Sequence, residues 1–260
     1  MIMDVKENLY SMFGLEDEVA LITGTDQGIG EAMAYGLAKA GARIAIADKK
    51  FNNACIVAER LEKSGVKALP FKVDVQDADN VDLMVSNVIR AFGTIDILVN
   101  NTGVSRREEC VKMTEEDWDQ VVNVNLKGTF LCSRAVGRIM LGNRKGKVIN
   151  LASMMSAVVQ AKRGPYAASK AGIVQFTKVL AVEWAPYNIN VNAIGPGYVL
   201  TDINKELLES NTFEYFVSKI PLGRWSIAED LIGATIFLSS KVSSYITGQV
   251  LYVDGGYLCL

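Results

Sequence analysis

Short apolar runs alternate with longer amphipathic stretches along most of this chain. Runs that are apolar throughout, rather than at every second position, indicate strands covered on both faces, as in parallel sheets. Seven such runs lie at residues 19–23, 43–47, 68–73, 95–99, 147–151, 189–194 and 250–253. Stretches with helical periodicity separate them, at residues 31–40, 53–63, 80–92, 116–140, 166–184 and 229–238.

This alternation predicts an α/β fold: a doubly wound, mostly parallel, seven-stranded Rossmann-like sheet with helices on both faces. Ligands of such sheets bind at the carboxyl ends of the strands. No repeat or linker divides the chain, so we expect a single domain over residues 15–260, preceded by an extension of residues 1–14. Residues 201–219 interrupt the alternation and are interpreted as an insertion near the site.

The composition excludes several classes of protein. The 260 residues carry a net charge of −2, and the basic residues form short separate pairs, so nucleic-acid binding is not expected. No apolar stretch approaches the ~20 residues that span a bilayer, and Asp4, Lys6 and Glu7 leave no signal-peptide core. We therefore expect a cytoplasmic protein without a membrane partner. The absence of histidine excludes Ser-His-Asp hydrolysis and the usual histidine-ligated metals, and the four cysteines lack metal spacing, so no metal site is predicted.

A glycine-rich turn joins the first apolar run to the first helical stretch. Gly24, Gly28 and Gly30 allow a tight turn and a close approach to a pyrophosphate, while the helix that follows directs its first amides at the phosphates. The spacing, Gly-x3-Gly-x-Gly, is weak evidence by itself and gains weight from its position between a strand and a helix. Gln27 and Ile29 lie in the same turn and are assigned to the same cofactor site.

Asp48 follows the second apolar run, where a carboxylate can accept hydrogen bonds from ribose hydroxyls and repel a 2′-phosphate. This favours NAD over NADP. Lys49 and Lys50 argue in the other direction, because a basic residue just after that position can pair with the phosphate. We weigh the carboxylate more heavily because the lysines can turn to water.

Tyr166 and Lys170 are four residues apart and share one face of a predicted helix. A cation beside a phenol stabilises the phenolate, so Lys170 is expected to lower the pKa of Tyr166 and to make it a proton-transfer group. Ser153, at the end of the fifth apolar run, can hydrogen-bond the same substrate oxygen. Asn125 lies farther upstream in Val-Asn-Val-Asn-Leu-Lys-Gly.

Together the glycine turn, the asparagine segment, Ser153 and the Tyr-x-x-x-Lys pair resemble the short-chain dehydrogenase/reductase family, in its order and spacing, from about residue 15 to the C-terminus. The resemblance implies that Asn125, Ser153, Tyr166 and Lys170 form the catalytic tetrad and that Lys170 also holds the nicotinamide ribose. Asn125 would keep its helix distorted so that its carbonyl holds a water. Thr102 departs from the alanine usual in the family. The cofactor contacts that the resemblance adds are Asp74, Val75, Asn101, Gly103, Tyr166, Lys170, Pro196, Gly197, Val199 and Thr201.

Several local stretches are similar to the sugar-acid branch of the family, which contains 2-deoxygluconate 3-dehydrogenase and gluconate 5-dehydrogenase. They include residues 106–107, 153–156, 220–225 and 237–241. The resemblance implies NAD-dependent interconversion of a secondary alcohol and a ketone on a sugar acid or polyol. Arg106 or Arg163 could hold a substrate carboxylate, although simple surface exposure explains either arginine equally well. The proposed substrate contacts are Ser153, Tyr166, Arg106, Met155 and Tyr198.

Two other functions remain open. The first is reduction of 3-oxoacyl groups on acyl carrier protein, against which Asp48 and the weak basic clustering count. The second is a non-catalytic NAD-sensing protein, against which the complete tetrad counts. Related enzymes are commonly homotetramers, and the apolar surplus on the Tyr166 helix is compatible with this assembly.

Overall fold

The structure of the protein is a computed structural model. The structure describes residues 9–25, 28–201, 204 and 213–260. The predicted Gln27, and most of the proposed insertion at residues 201–219, lie outside these ranges.

Seven parallel strands form one sheet with the order β3-β2-β1-β4-β5-β6-β7. The strands are β1 (Val19–Thr23), β2 (Arg43–Asp48), β3 (Ala68–Lys72), β4 (Ile97–Asn100), β5 (Gly146–Leu151), β6 (Ile189–Pro196) and β7 (Val250–Val253). Every predicted strand is present within about two residues, and the predicted Rossmann-like single-domain fold is confirmed. The sheet is parallel throughout because each strand-to-strand connection crosses over through helical structure.

Helices cover both faces of the sheet. They are α1 (Leu9–Phe13), α2 (Ile29–Lys39), α3 (Phe51–Lys63), α4 (Ala78–Phe92), α5 (Glu115–Val122), α6 (Gly128–Asn143), α7 (Gly164–Trp184), α8 (Phe213–Ser218) and α9 (Ile232–Ser239). One apolar core lies under α4, α6 and α7, and a second lies under α2, α3 and α9. The described part of the chain contains no helix long and apolar enough to cross a membrane.

One predicted helix is divided in the structure. The sequence predicted a single helix over residues 116–140, whereas a π-helical turn, Asn123–Lys127, separates α5 from α6. Side chains cap the starts of α5 and α4: Thr114 accepts a hydrogen bond from an amide of α5, and Asp77 accepts two from amides of α4. Asn125 lies within this π-helical turn.

The strand order reverses between β1 and β4. β2 and β3 extend from one side of β1, and β4 to β7 extend from the other, so the crossovers on the two sides diverge. Such a reversal opens a crevice at the carboxyl ends of the strands. Here it opens beside Thr23 and Asn100, the last residues of β1 and β4.

Candidate active site

A cavity of about 530 Å³ lies along the carboxyl ends of the strands, within the usual size range of small-molecule sites. Most of the predicted cofactor and catalytic residues line it. These are Gly24, Gly28, Ile29, Gly30, Asp48, Asp74, Val75, Asn101, Gly103, Ser153, Tyr166, Lys170, Pro196, Gly197, Val199 and Thr201. Asn125, Arg106, Met155 and Tyr198 are not part of its lining.

The glycine turn forms one end of the cavity. Gly24 and Gly28 both have φ +70°, the left-handed region that favours glycine. A Cβ at Gly24 would lie 2.7 Å from the Cα of Thr102, and a Cβ at Gly30 would overlap the carbonyl oxygen of Gly24. Among the described residues no side chain caps α2, so its first amides remain available to a ligand. The turn therefore offers bare backbone where a phosphate group would approach.

Asn101 fixes this turn against the end of β4. Its side-chain amide donates to the carbonyl oxygens of Thr23 (3.1 Å) and Gly24 (2.5 Å). Thr102, the residue that departs from the family pattern, lies beside Gly24 and also lines the cavity.

Asp48 closes the cavity at the end of β2. Its carboxylate accepts hydrogen bonds from the backbone amides of Thr25 (3.0 Å) and Lys50 (2.8 Å), and the residue is 7% exposed. These two amides hold the carboxylate at the cavity wall. The ammonium of Lys49 pairs with the carboxylate of Asp74 at 2.7 Å.

Asp74 lies at the end of β3. Partial burial opposes its ionisation, but the hydrogen bond and charge of Lys49, together with hydrogen bonds from Gln76, hold the pKa of this carboxyl below its usual value. Asp74 is therefore an ionised acceptor at this end of the cavity.

Tyr166, Lys170 and Ser153 meet at the other end. The Lys170 ammonium nitrogen lies 5.7 Å from the centre of the Tyr166 ring and donates to the carbonyl oxygen of Leu151 at 2.5 Å. Ser153 hydrogen-bonds Tyr166 and accepts a hydrogen bond from the Met155 amide at 3.1 Å. A phenol, a hydroxyl and an amine in this arrangement can exchange a proton with a substrate oxygen.

The pKa of Tyr166 differs from the sequence-based expectation. Burial raises this pKa above its ordinary value, while the hydrogen bond from Ser153 and the charge of Arg163 act in the opposite direction without outweighing it. Burial also lowers the pKa of Lys170 to about 8. The expected depression by Lys170 is wrong for the protein alone, because desolvation disfavours the charged forms of both groups.

Asn125 lies in the π-helical turn and is fully buried. Its side chain accepts from the Val104 amide (2.8 Å) and donates to the Val104 carbonyl (3.0 Å) and to the Ser169 hydroxyl (3.0 Å). That hydroxyl in turn donates to the carbonyl oxygen of Tyr166 at 2.8 Å. The carbonyl oxygen of Asn125 accepts from Thr129 at 2.7 Å. Asn125 thus connects the π-helical turn to the backbone of the tyrosine.

The segment after β6 faces the glycine turn across the cavity. A Cβ at Gly28 would lie 3.1 Å from the Thr201 side chain, and a Cβ at Gly197 would lie 2.7 Å from the Cα of Asp254. The Gly197 amide also donates to the Val253 carbonyl at 3.0 Å. Residues 196–201 are therefore held by β7 on one side and border the cavity on the other.

The residues predicted to contact substrate do not all lie together. Met155 and Tyr198 are buried in a cluster with Trp225, whose ring stacks 4.9 Å from that of Tyr198. Arg106 is exposed and bound to α5 through Asp117 (3.0 Å) and Gln120 (2.8 Å). Arg163, the alternative considered for a carboxylate, is buried beside Tyr166.

Several lining residues were not predicted. They are Val73, Gln76, Val104, Gln120, Val124, Leu151, Ala152, Leu200 and Asn204, while Lys49, Lys50 and Thr102, which the sequence had placed near the cofactor, line the cavity as well. Many directly follow a strand, so extending each predicted strand by one or two residues would have found them. Gln120 and Val124 come from α5 and the π-helical turn, and the sequence gives no signal that these elements border the cavity.

Comparison with known proteins agrees with this arrangement. A family model described as Enoyl-(Acyl carrier protein) reductase matches residues 24–258. The 5-keto-D-gluconate 5-reductase of Escherichia coli (strain K12) is 41% identical over 95% of this chain and 98% of its own length. The 2-dehydro-3-deoxy-D-gluconate 5-dehydrogenase of the same organism is 40% identical over 96% and 99%. The 3-oxoacyl-[acyl-carrier-protein] reductase of Thermotoga maritima is 40% identical over 93% and 98%.

A solved structure matches equally well. The gluconate 5-dehydrogenase from Burkholderia cenocepacia J2315, in complex with NADP and tartrate, superimposes with a TM-score of 0.95 at 37% identity, covering 97% of this chain and 100% of that one. Fold, site and relatives lead to the same conclusion: the chain belongs to the short-chain dehydrogenase/reductase family of oxidoreductases.

Proposed function

We propose that this enzyme interconverts a secondary alcohol and a ketone on a sugar acid or polyol, with NAD as cofactor. The observation that carries the proposal is the meeting of Tyr166, Ser153 and Lys170 at one end of a cavity whose other end is the glycine turn. Similarity to two gluconate-derivative oxidoreductases supports the substrate class. The Burkholderia cenocepacia relative binds tartrate, itself a hydroxy acid.

The cavity fits a nicotinamide dinucleotide. Gly24, Gly28 and Gly30 would receive the pyrophosphate on bare backbone, and Asp48 would accept from the adenosine ribose. The other proposed contacts are Gln27, Ile29, Asp74, Val75, Asn101, Gly103, Pro196, Gly197, Val199 and Thr201, with Lys170 at the second ribose. When bound, the nicotinamide supplies or accepts the hydride.

The protein's own residues move the proton. Tyr166 would donate it to the substrate oxygen during reduction and take it back during oxidation, while Ser153 would hydrogen-bond that oxygen as its charge develops. The raised pKa of Tyr166 keeps the phenol protonated at neutral pH and suits it to donate. Asn125 would help to position Tyr166, since it hydrogen-bonds Ser169, which in turn hydrogen-bonds the Tyr166 backbone.

The preference for NAD is supported by charge. Asp48 presents a carboxylate at the cavity wall, and one of the two lysines that follow it, Lys49, is paired with Asp74 at 2.7 Å. The Asp48 carboxylate would repel a 2′-phosphate at that position. The Burkholderia cenocepacia relative binds NADP, so the preference has to be measured on this chain.

The protein is proposed to form a homotetramer and to lie in the cytoplasm. Its single domain is proposed to span residues 15–260, preceded by an extension of residues 1–14. Val179 and Val182 are 50% and 78% exposed on α7, and Phe130 is 41% exposed on α6, so apolar side chains remain for a partner subunit. The four cysteines are free thiols, as in proteins of reducing compartments.

Absorbance of the reduced nicotinamide tests the function directly. Purified protein is mixed with NAD(H) or NADP(H) and with D-gluconate, 5-keto-D-gluconate, D-glucitol, L-sorbose or an acetoacetyl thioester, with Tyr166→Phe as the inactive control. Turnover of a sugar acid or polyol with NAD is the expected result. NADPH-dependent thioester reduction would assign the acyl-reductase function, and cofactor binding without turnover would favour a sensor.

A further inference from the structure

Tyr252 of β7 extends its side chain across the neighbouring strand. β7 pairs with β6, where Tyr252 lies opposite Gly195, and β6 separates β7 from β5. A Cβ at Gly195 would overlap the Tyr252 ring, so glycine leaves room for the ring at this position. The Tyr252 side chain therefore passes over β6 and reaches the chain that follows β5.

The Tyr252 hydroxyl meets the hydroxyl of Ser156, with 3.1 Å between the two oxygens. Ser156 ends a short 3₁₀ turn, Met154–Ser156, that comes just after β5. The Ser156 hydroxyl donates its single proton to the carbonyl oxygen of Ser153 at 2.6 Å. Tyr252 is therefore the donor in its contact with Ser156. The contact is partly buried, and a chain of hydrogen bonds is stronger there than in water.

This chain of hydroxyls ends on Ser153, the serine proposed to bind the reacting oxygen. The carbonyl oxygen of Ser153 accepts from the Ser156 hydroxyl and also from the Ser156 amide, at 2.9 Å. The Ser153 hydroxyl accepts from the Met155 amide at 3.1 Å, which leaves its own proton for the oxygen of Tyr166 or of a substrate. The 3₁₀ turn therefore fixes both the backbone and the hydroxyl of Ser153, and Tyr252 ties that turn to β7.

We propose that Tyr252 is a positioning residue for the reaction: by anchoring Ser156, it holds the Ser153 hydroxyl toward the reacting oxygen. The inference rests on the proposed role of Ser153 in proton transfer. Tyr252 does not line the cavity, so it acts through Ser153 rather than on substrate or cofactor. A misplacement of about 1 Å at a reacting group can cost about 100-fold in rate. Loss of the Tyr252 hydroxyl therefore lowers turnover without weakening cofactor binding.

Removing the hydroxyl alone tests this role. Tyr252→Phe keeps the ring that packs against Gly195. The kcat of this variant should fall about tenfold, the scale of one hydrogen bond, whereas KM, NADH affinity and the temperature of thermal unfolding should change little. Tyr35→Phe, at a half-buried tyrosine of α2 that does not line the cavity, is the matched control and should keep the wild-type kcat.

Two further measurements separate positioning from a general loss of stability. The kcat of the double variant Ser156→Ala/Tyr252→Phe should match that of Ser156→Ala alone, because both changes interrupt one chain of hydrogen bonds. The oxidation rate of Tyr252→Phe should rise at higher pH than that of the wild type. This shift is expected because the hydrogen bond from Ser153 lowers the pKa of Tyr166, and a displaced Ser153 no longer makes it.

A wild-type kcat in Tyr252→Phe, or losses that multiply in the double variant, would overturn the positioning role. A loss of kcat with an unchanged pH profile and a lower unfolding temperature would overturn it too, because Tyr252 would then serve the stability of β7. Failure of the proposed function gives a different pattern. If Ser153→Ala itself kept the wild-type kcat, the proton-transfer role of Ser153 would be refuted, and the inference about Tyr252 with it.

Discussion

The Lys170 ammonium nitrogen lies 5.7 Å from the centre of the Tyr166 ring, one helical turn away on α7. Both side chains belong to a buried part of the site, and burial opposes charge on each: it raises the pKa of Tyr166 and lowers that of Lys170 to about 8. At neutral pH the phenol is therefore protonated, while Lys170, with a pKa of about 8, remains mainly an ammonium. This suits proton donation to a ketone and makes the reverse reaction depend on creating a phenolate.

Replacing Tyr166 with phenylalanine removes only the phenolic oxygen. We expect kcat to fall by at least about 10³-fold in both directions, because proton transfer and the bond to Ser153 are lost together. Cofactor affinity, measured by fluorescence quenching of NADH, should change by less than about threefold. The kcat of Ser153→Ala should fall less than that of Tyr166→Phe, since the phenol remains. Near-wild-type turnover in Tyr166→Phe would eliminate the proton-transfer role.

The pH dependence should differ between the two directions. Oxidation needs the phenolate, and the Tyr166 pKa is raised, so the oxidation rate should climb steadily from pH 7 to pH 10. Reduction uses the protonated phenol and should stay level or decline over the same interval. Initial rates at saturating substrate in both directions test this. An oxidation rate that levels off below pH 7 would contradict it.

Lys170 should cost stability at neutral pH. Its pKa is lowered from 10.5 to about 8, so between these values the unfolded chain binds more protons than the folded one, and folding stability rises with pH. Lys170→Met removes this dependence. The variant should raise the free energy of unfolding at pH 7 by at most about 3 kcal/mol. The gain will be smaller by the stability lost when the Leu151 carbonyl loses its hydrogen-bond donor. Turnover should be abolished.

Lys147 provides a matched control for that experiment. Its pKa is likewise lowered by burial to about 8, but it bonds Asn190 and does not line the cavity. Lys147→Met should also flatten the dependence of urea unfolding on pH, while activity persists. If both variants keep the wild-type pH dependence of stability, neither lysine has the lowered pKa.

The strands and the chemical groups of the site could be predicted from the sequence, because both depend on local patterns of residues. Apolar runs locate strand ends, and the end of a strand locates Asp48, Ser153 and Asn101. The distortion at Asn125 was expected only from the family resemblance; the local pattern predicted an unbroken helix, because Asn125 makes its hydrogen bonds to Val104, a residue distant along the chain. The two arginines could not be told apart for the same reason: burial of Arg163 and exposure of Arg106 arise only when the loop before α7 meets the loop after β4.

Fewer apolar side chains of α7 are exposed than the sequence suggested. Ile173, Val174 and Leu180 are buried within the subunit, and Val179 and Val182 remain exposed. Val179→Glu should dissociate the proposed tetramer into smaller species, because a charge would enter an apolar interface. Ile56→Glu, a residue of similar exposure on α3, should leave the assembly intact. Analytical ultracentrifugation measures the mass of the assembly in each variant. A monomeric wild-type protein would contradict the proposed tetramer.

Asp48 should set the choice of cofactor. Asp48→Ala removes the carboxylate that would face a 2′-phosphate, so the ratio of kcat/KM for NAD to that for NADP should fall by about 10- to 100-fold, consistent with loss of one charge contact of 1.4–3 kcal/mol. Asp74→Ala, which frees Lys49, should move the ratio in the same direction but by less. An unchanged ratio in Asp48→Ala would remove Asp48 from cofactor selection.

Asn125 should act on the position of Tyr166 rather than on the reacting atoms. Asn125→Ala leaves the amide and the carbonyl of Val104 without their partner and cuts the link through Ser169 to the Tyr166 backbone. Each unsatisfied buried group costs about 1–3 kcal/mol, so unfolding by urea should show a loss of about 2–4 kcal/mol. Turnover should fall with little change in KM, because the tyrosine is displaced while the binding groups remain.

Asn123 gives the control for this variant, since it is the same residue type in the same π-helical turn but is only half-buried. Asn123→Ala should cost less than about 0.5 kcal/mol and leave kcat unchanged. If Asn125→Ala lost stability but kept its kcat, the asparagine would serve only to fold the turn. Equal kcat losses in the two variants would mean that the turn itself, rather than the hydrogen bonds of Asn125, positions the tyrosine.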